Sequence, residues 1–425
     1  MIVTLMLVLF FLMLVLGVPV AFAMGLSAIL ALLVQGEVPG ILLPQRFFST
    51  LDNFSLLAVP LFVLAGELMN AGGVTERLVA MSRALMGHLR GGIAQANVLT
   101  NMFMAAISGS ALADLSAIGS MMIPAMRRDG YPPQLAVAVT ACASMMAPII
   151  PPSIIAVVYG SITGTSIGGL FLGGVGPGVL AGVGMIILVW YLSKRAGVPR
   201  RDRAPVREMA SATFLALPAM LMPLIIVGGI IGGIFTPTEA GAVAVFYGLL
   251  FGLVLRRHSA ASVYRNLSAA TQVTAAALIN LGGAALFAWV LARAGVAGAV
   301  LDGLFSISTD PTAILMILIV FLLLLGIFIE PMPALILSLP VLQPIAVQMG
   351  YDPVHFGIVV LMTLIVGAVS PPVGILGMVA AKIGGVTYAS TFSSLYPFVA
   401  LWIAVILLIS FVPGLVTFLP NSLLP

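Results

Sequence analysis

Charge is what this sequence has least of: 7% of its 425 residues are Asp, Glu, Lys or Arg, against about a quarter in soluble domains. With 61% hydrophobic residues and a mean hydropathy of +1.24, no soluble fold could cover such a surface, so the chain reads as an integral membrane protein without a soluble domain. Cysteine is scarcer still. Cys142 alone excludes an internal disulfide framework and a cysteine metal cluster, and its place in an apolar run makes it a small core residue. Histidine is limited to His88, His258 and His355, scattered mostly by the loops, with no metal-ligand spacing. An intramembrane serine protease needs a buried base facing its serine, and none of the three is placed for it. The absence of GxxxxGK[ST] removes ATP hydrolysis within this chain, and nothing supports an enzyme. No positive charge precedes the apolar run Met1 to Leu16, which meets a second run after Pro19, so it reads as a span rather than a signal peptide.

What the chain has in abundance is apolar sequence, enough for roughly ten or more spans in one bundle. Apolar runs set against polar breaks predict spans near 1–17, 19–34, 54–70, 134–163 and 169–192, and again near 211–233, 237–255, 271–292, 353–381 and 391–415. Two further segments, 92–126 and 311–348, are apolar but interrupted. In the first, Ser108, Gly109, Ser110, Ala111, Leu112, Ala113 and Asp114 look like the tip of a re-entrant hairpin. Such backbone survives at depth only when buried in protein or lining a water-filled cavity. The segments Val74 to Arg90 and Ala260 to Ala270 read as amphipathic helices on the inner surface.

The order of elements repeats. A shift of 220 residues places Pro124 on Pro344, Gly130 and Tyr131 on Gly350 and Tyr351, Pro133 on Pro353, Pro151 and Pro152 on Pro371 and Pro372, and Gly164 on Gly384. The expected organisation is repeat 1 over 1–192, a cytoplasmic linker over 193–210 and repeat 2 over 211–425, each repeat holding five spans and one re-entrant hairpin. An odd number of crossings gives the repeats opposite orientations. The positive charges agree: with the N-terminus outside, the inner segments hold Arg77, Arg83, Arg90, Arg127, Arg128, Lys194, Arg195, Arg200, Arg201, Arg203, Arg207, Arg256, Arg257, Arg265 and Lys382, fifteen of the seventeen Lys and Arg. The net charge of +4 then reflects topology, and nucleic-acid binding is not needed to explain it.

Inverted repeats with re-entrant hairpins and broken helices are the architecture of alternating-access transporters, which bind substrate and ions near the midplane. The sequences APIIPPS (Ala147 to Ser153) and GAVSPPV (Gly367 to Val373) each put a proline pair in mid-span, where missing N–H groups and ring clashes unwind a helix. Unwinding frees carbonyls such as those of Ala147, Ile150, Gly367 and Ser370 for a hard cation like sodium. Ser108 and Ser110 at the first tip, and Glu330 within GIFIEPMP at the second, offer further oxygens, although a membrane serine often bonds only its own backbone.

Ionisable groups at membrane depth are functional candidates: Asp114, Glu239, Arg293 and Glu330, with Glu67 and Lys382 nearer the ends of runs. The planar fork of Arg293 suits a carboxylate substrate, while the alternatives are a structural bridge to Glu239 or Glu330, or snorkelling to the surface. Ser153, Thr163, Thr165 and Ser166 could add hydrogen bonds or merely form polar helix ends.

At these residues the chain resembles, nearly end to end, the large membrane subunit of tripartite ATP-independent periplasmic (TRAP) transporters, of the wider ion-transporter superfamily. The stretches LLAVPLFVLAGELM (56–69), ISGSALADLSAIGSMMIPAM (107–126), APIIPPS (147–153), FTPTEAGAVAVFYGLL (235–250) and GAVSPPVGI (367–375) carry the likeness. The resemblance implies an elevator mechanism driven by sodium in a bacterial inner membrane, in which hairpins and broken helices slide past a scaffold of the remaining spans. It implies two partners, a small four-helix membrane subunit and a periplasmic binding protein that delivers an organic acid, and no organic cofactor. On this pattern Ser108, Gly109, Ser110, Ala147, Ile150 and Pro152 form one sodium site, and Gly367, Ser370 and Pro372 the other. Asp114, Ser153, Ser166, Glu239, Arg293 and Glu330 then fall near the substrate path. C4-dicarboxylates, sialic acid and other sugar or keto acids are all compatible. A self-sufficient anion channel or exchanger is the alternative, but a channel needs a continuous pore with polar rings that the sequence does not display.

Overall fold

The computed structural model describes residues 2–36, 40–198 and 202–424. Every regular element among the described residues is helical. The first half runs α1 (Ile2–Val15), α2 (Val20–Gln35), α3 (Leu42–Leu51), α4 (Ala58–Ala71) and α5 (Val74–Met86), then a hairpin of α6 (Gly92–Ser108) and α7 (Ala111–Arg128), a broken span of α8 (Pro133–Ser144) and α9 (Ile154–Thr163), and α10 (Ile167–Arg195). The second half runs α11 (Val206–Ile231), α12 (Pro237–Val254), α13 (Ala260–Arg293) and α14 (Val296–Ile307), a hairpin of α15 (Pro311–Phe328) and α16 (Pro331–Gln348), a broken span of α17 (Pro353–Gly367) and α18 (Ile375–Gly384), then α19 (Phe392–Phe411) and α20 (Gly414–Leu423). Eight helical segments among the described residues are long and apolar enough to cross a membrane.

The helix boundaries repeat the spacing read from the sequence. The starts of α7 and α16 differ by 331 − 111 = 220, as do their ends, 348 − 128 = 220, and the starts of α8 and α17, 353 − 133 = 220. Local chemistry sets these starts. Pro133 and Pro353 occupy first turns, where the N–H that proline lacks would have no helical partner. Asp352 and Asp310 cap α17 and α15 by accepting from the N–H of His355 and Ala313, each at 2.8 Å.

Packing sorts the helices into two groups. In one, α13 lies against α2, α3 and α4, and α12 against α4 and α11. In the other, α8 packs on α6 and α7, and α17 on α15 and α16. The second segment of each broken span crosses to the opposite half: α18 packs on α7 and α8, and α9 on α16 and α17. Two hydrogen bonds fasten these crossings. Arg127 Nη1 donates to the Gly384 carbonyl at 3.0 Å, and Gln343 Nε2 to the Thr163 carbonyl at 3.2 Å, so each hairpin holds the last turn of the other half's broken span. Both α10 and α19 join this second group, α10 against α6 and α17, α19 against α8 and α17. The resemblance had left these two with the scaffold.

The structure departs from the sequence reading elsewhere too. The expected surface helix Val74 to Arg90 is α5, whose Val74, Leu78, Val79 and Met81 are buried against α6 and α11 instead of resting on lipid. The segment 260–270 is continuous with the span after it, making a single 34-residue helix, about 50 Å at 1.5 Å per residue and longer than the bilayer core. The helices α3, α14 and α20 were not anticipated. Of the expected linker 193–210, helix takes both ends, and Arg200 and Arg201 lie outside the described residues.

Candidate functional site

The first hairpin turns at Gly109, whose φ of +64° is a left-handed conformation that glycine adopts without steric cost. Ser110 then caps α7, its hydroxyl accepting from Ala113 N–H at 3.4 Å. The Ser108 hydroxyl accepts from Ser110 N–H at 3.3 Å and donates to Asp114 Oδ1. Asp114 sits in the first turn of α7, where helix amides favour negative charge. It is completely buried, and its Oδ2 has no hydrogen-bond partner.

The tip is held from two sides. A Cβ on Gly109 would stand 2.4 Å from the Pro152 carbonyl oxygen, so the tip backbone lies directly on the break between α8 and α9. On the other side, a Cβ on Gly66 of α4 would stand 3.3 Å from Ser108 Cα. Within the break, Ile149 and Ile150 N–H both donate to Met146 at 3.0 and 2.9 Å, while among the described residues no backbone N–H donates to the carbonyls of Ala147, Ile150 or Pro152. Ser153 is absorbed locally: it caps α9 by accepting from Ala156 N–H at 3.2 Å and donates to the Pro148 carbonyl at 2.6 Å. Carbonyl oxygens left free in the break, beside a hydroxyl-bearing tip, are a donor set suited to a hard monovalent cation.

The second tip has the same plan with different side chains. A Cβ on Gly367 would stand 2.5 Å from the Gly326 carbonyl carbon, and Gly374 N–H donates to the Ile327 carbonyl at 3.4 Å, so this hairpin also rests on its own half's break. The Gly367 carbonyl accepts from Ser370 N–H at 2.9 Å, and the Ser370 hydroxyl donates to Val366 at 2.7 Å. Each oxygen keeps a lone pair, so both remain able to ligate. The carbonyls of Ser370 and Pro372 accept no backbone N–H among the described residues. Both proline pairs are joined by cis peptide bonds. Glu330 stands at the start of α16, exposed and without a capping bond.

The residues expected along a substrate path are more dispersed. Ser166 caps α10 through Gly169 N–H at 3.1 Å and lines an open polar cleft with Asn53, Ser161 and Thr165. Glu239 is exposed, and its carboxylate accepts from the N–H and the hydroxyl of Thr236 at 2.8 and 2.9 Å in a capping box at the start of α12. Arg293 is exposed at the end of α13, its guanidinium 5.5 Å from the Trp289 ring centroid. Arg46 of α3 approaches the same ring at 6.0 Å, so the two Arg residues outside the expected inner segments converge on one indole. Sequence reasoning gave Arg46 no role. Glu67, read only as lying near the end of a run, lines a small cavity with Asn70, Ser108, Ser110 and Asp114. Its separation of three from Asn70 on one helix face was the available signal.

Structural comparison finds the same fold in a solved structure. The chain superposes on the YdaH transporter of Alcanivorax borkumensis with a TM-score of 0.61 at 15% identity, covering 89% of this chain and 90% of that one. Residues 7–415 match the family described as the tripartite ATP-independent periplasmic transporter, DctM component, and the chain belongs to that family. Among its relatives are the isethionate TRAP transporter permease protein DctMQ of Oleidesulfovibrio alaskensis, 38% identical over 96% of this chain, of whose length the chain spans 65%. The sialic acid TRAP transporter large permease protein SiaM of Vibrio cholerae is 34% identical over 96% of both chains. The 2,3-diketo-L-gulonate TRAP transporter large permease protein YiaN of Escherichia coli is 33% identical over 94% of each. These relatives are transport permeases rather than enzymes.

Proposed function

We propose that this protein takes up an organic acid by sodium symport, as the large subunit of a TRAP transporter working with a small membrane subunit and a periplasmic binding protein. The supporting observation is the paired tip-on-break arrangement, with Gly109 against Pro152 and Gly367 against Gly326. Each junction gathers oxygens able to coordinate sodium, and substrate binds between them. The cross-half bonds from Arg127 and Gln343 favour motion of both junctions as one body, including α10 and α19, past α2, α4, α12 and α13. This is an elevator. The named substrates of the three relatives are all organic acids, which is why an acid is proposed here.

Purified protein reconstituted with its small subunit should accumulate the acid only with a sodium gradient and an added binding protein. Uptake undiminished in potassium would remove sodium coupling, and uptake fully present without binding protein would favour a self-sufficient exchanger.

The same reading places both termini and the Tyr351 loop in the periplasm, with Arg127 inside, in a bacterial inner membrane. Asp352→Cys should therefore react with an impermeant thiol reagent from the periplasmic side. Labelling only from the cytoplasmic side would overturn the inverted arrangement.

A further inference from the structure

The cavity between α4 and the first tip lies where Gly66 approaches Ser108, and Ile154 at the start of α9 closes it on the side of the break. It is lined by two carboxylates, Glu67 and Asp114, with Asn70, Ser108 and Ser110, and among the described residues no Lys, Arg or His lines it. Asp114 is fully buried with one oxygen unpartnered, a costly arrangement for a charge in a low-dielectric interior. Its Oδ1 is already committed to the Ser108 hydroxyl, so Oδ2 is the atom left to bind something. Asn70 Oδ1 accepts from the Thr75 hydroxyl at 2.6 Å, which holds the amide in place and leaves it one lone pair.

From this we infer that the cavity is a cation site of its own, binding one sodium ion between Asp114 and Ser108 of the tip and Glu67 and Asn70 of α4. The donors are all oxygen, the preference of a hard cation. One charge is fully desolvated here, that of Asp114, since Glu67 is only partly buried, and a single monovalent ion neutralises it. Half the donors belong to α4 and half to the moving tip. The site is therefore complete only while the tip stands against α4, and its ion holds that conformation and must leave before the tip moves. This inference rests on the sodium-driven elevator proposed above, and adds an ion to those at the two tip-on-break junctions.

Radioactive sodium binding to the purified complex, with melting temperature followed against sodium concentration, tests it. Glu67→Gln is the main variant, since a part-buried residue at the cavity should tolerate the change; Asp114→Asn, which keeps an acceptor for Ser108, is the second. Both should bind one sodium ion fewer than the wild type at saturation, or need at least about tenfold more sodium to fill that site. Ser370→Ala at the other tip should leave this ion in place. If wild-type protein binds no sodium, the coupling itself fails. If wild-type protein binds sodium and both variants retain its full stoichiometry and affinity, the α4 site is wrong and the coupling stands.

Discussion

Gly109→Ala and Gly367→Ala should each bring uptake to background. At Gly109 the residue must hold a φ of +64°, which costs an L-residue about 1–2 kcal/mol, and its Cβ would meet the Pro152 oxygen at 2.4 Å. At Gly367 the methyl would meet the Gly326 backbone at 2.5 and 2.6 Å, where no side chain can swing aside. Overpacking of this kind costs about 1–3 kcal/mol, and the less expensive escape is for the tip to lift from the break, separating the oxygens proposed to share an ion. Gly298→Ala is the control, because a Cβ there meets nothing within 4 Å and alanine favours the helix. Uptake and melting temperature measured on the three variants decide the matter. Wild-type uptake in Gly109→Ala would mean that the tip is not seated on the break during transport.

Arg293→Ala should lower apparent affinity for the transported acid by roughly tenfold or more, since a charge-assisted hydrogen bond is worth about 1.5–3 kcal/mol. Sodium affinity should stay near wild type, because Arg293 stands at the end of α13 and supplies none of the oxygens proposed to hold an ion. Arg293→Lys should recover part of the loss, as an ammonium supplies charge without the bidentate fork. A purely structural role predicts the opposite pattern, a lower melting temperature with unchanged affinity in the surviving protein. Full uptake at low acid concentration by Arg293→Ala would end the proposal that it meets substrate.

Several elements were legible in the sequence. The breaks fall at Pro151–Pro152 and Pro371–Pro372 because a missing N–H and a ring clash act within one turn of chain and need no distant partner. The first tip was legible for the same reason, a glycine between two serines that can cap and turn the backbone. The reading of α5 was not secure, because an apolar stripe is drawn to lipid and to protein alike. Only the positions of α6 and α11 decide that it is covered by protein. Glu239 was singled out as an acid within an apolar stretch, yet it stands at a helix start and is engaged by Thr236 three residues earlier. The motif T-P-T-E contained that answer as a capping box.

The sequence by itself therefore determined that the chain is built of apolar helices, where two of its spans break and which residue types stand at those breaks, since each is a matter of local backbone chemistry and hydropathy. Tertiary structure alone decided which groups meet: Ser108 with Asp114 across a hairpin tip, Glu67 and Asp114 in one cavity though 114 − 67 = 47 residues apart, Arg46 and Arg293 on one indole, and Arg127 on a carbonyl 257 residues away. Partnerships of that kind depend on how helices pack in three dimensions. Hydropathy, which tells lipid and core from water but not one buried neighbour from another, carries no record of them.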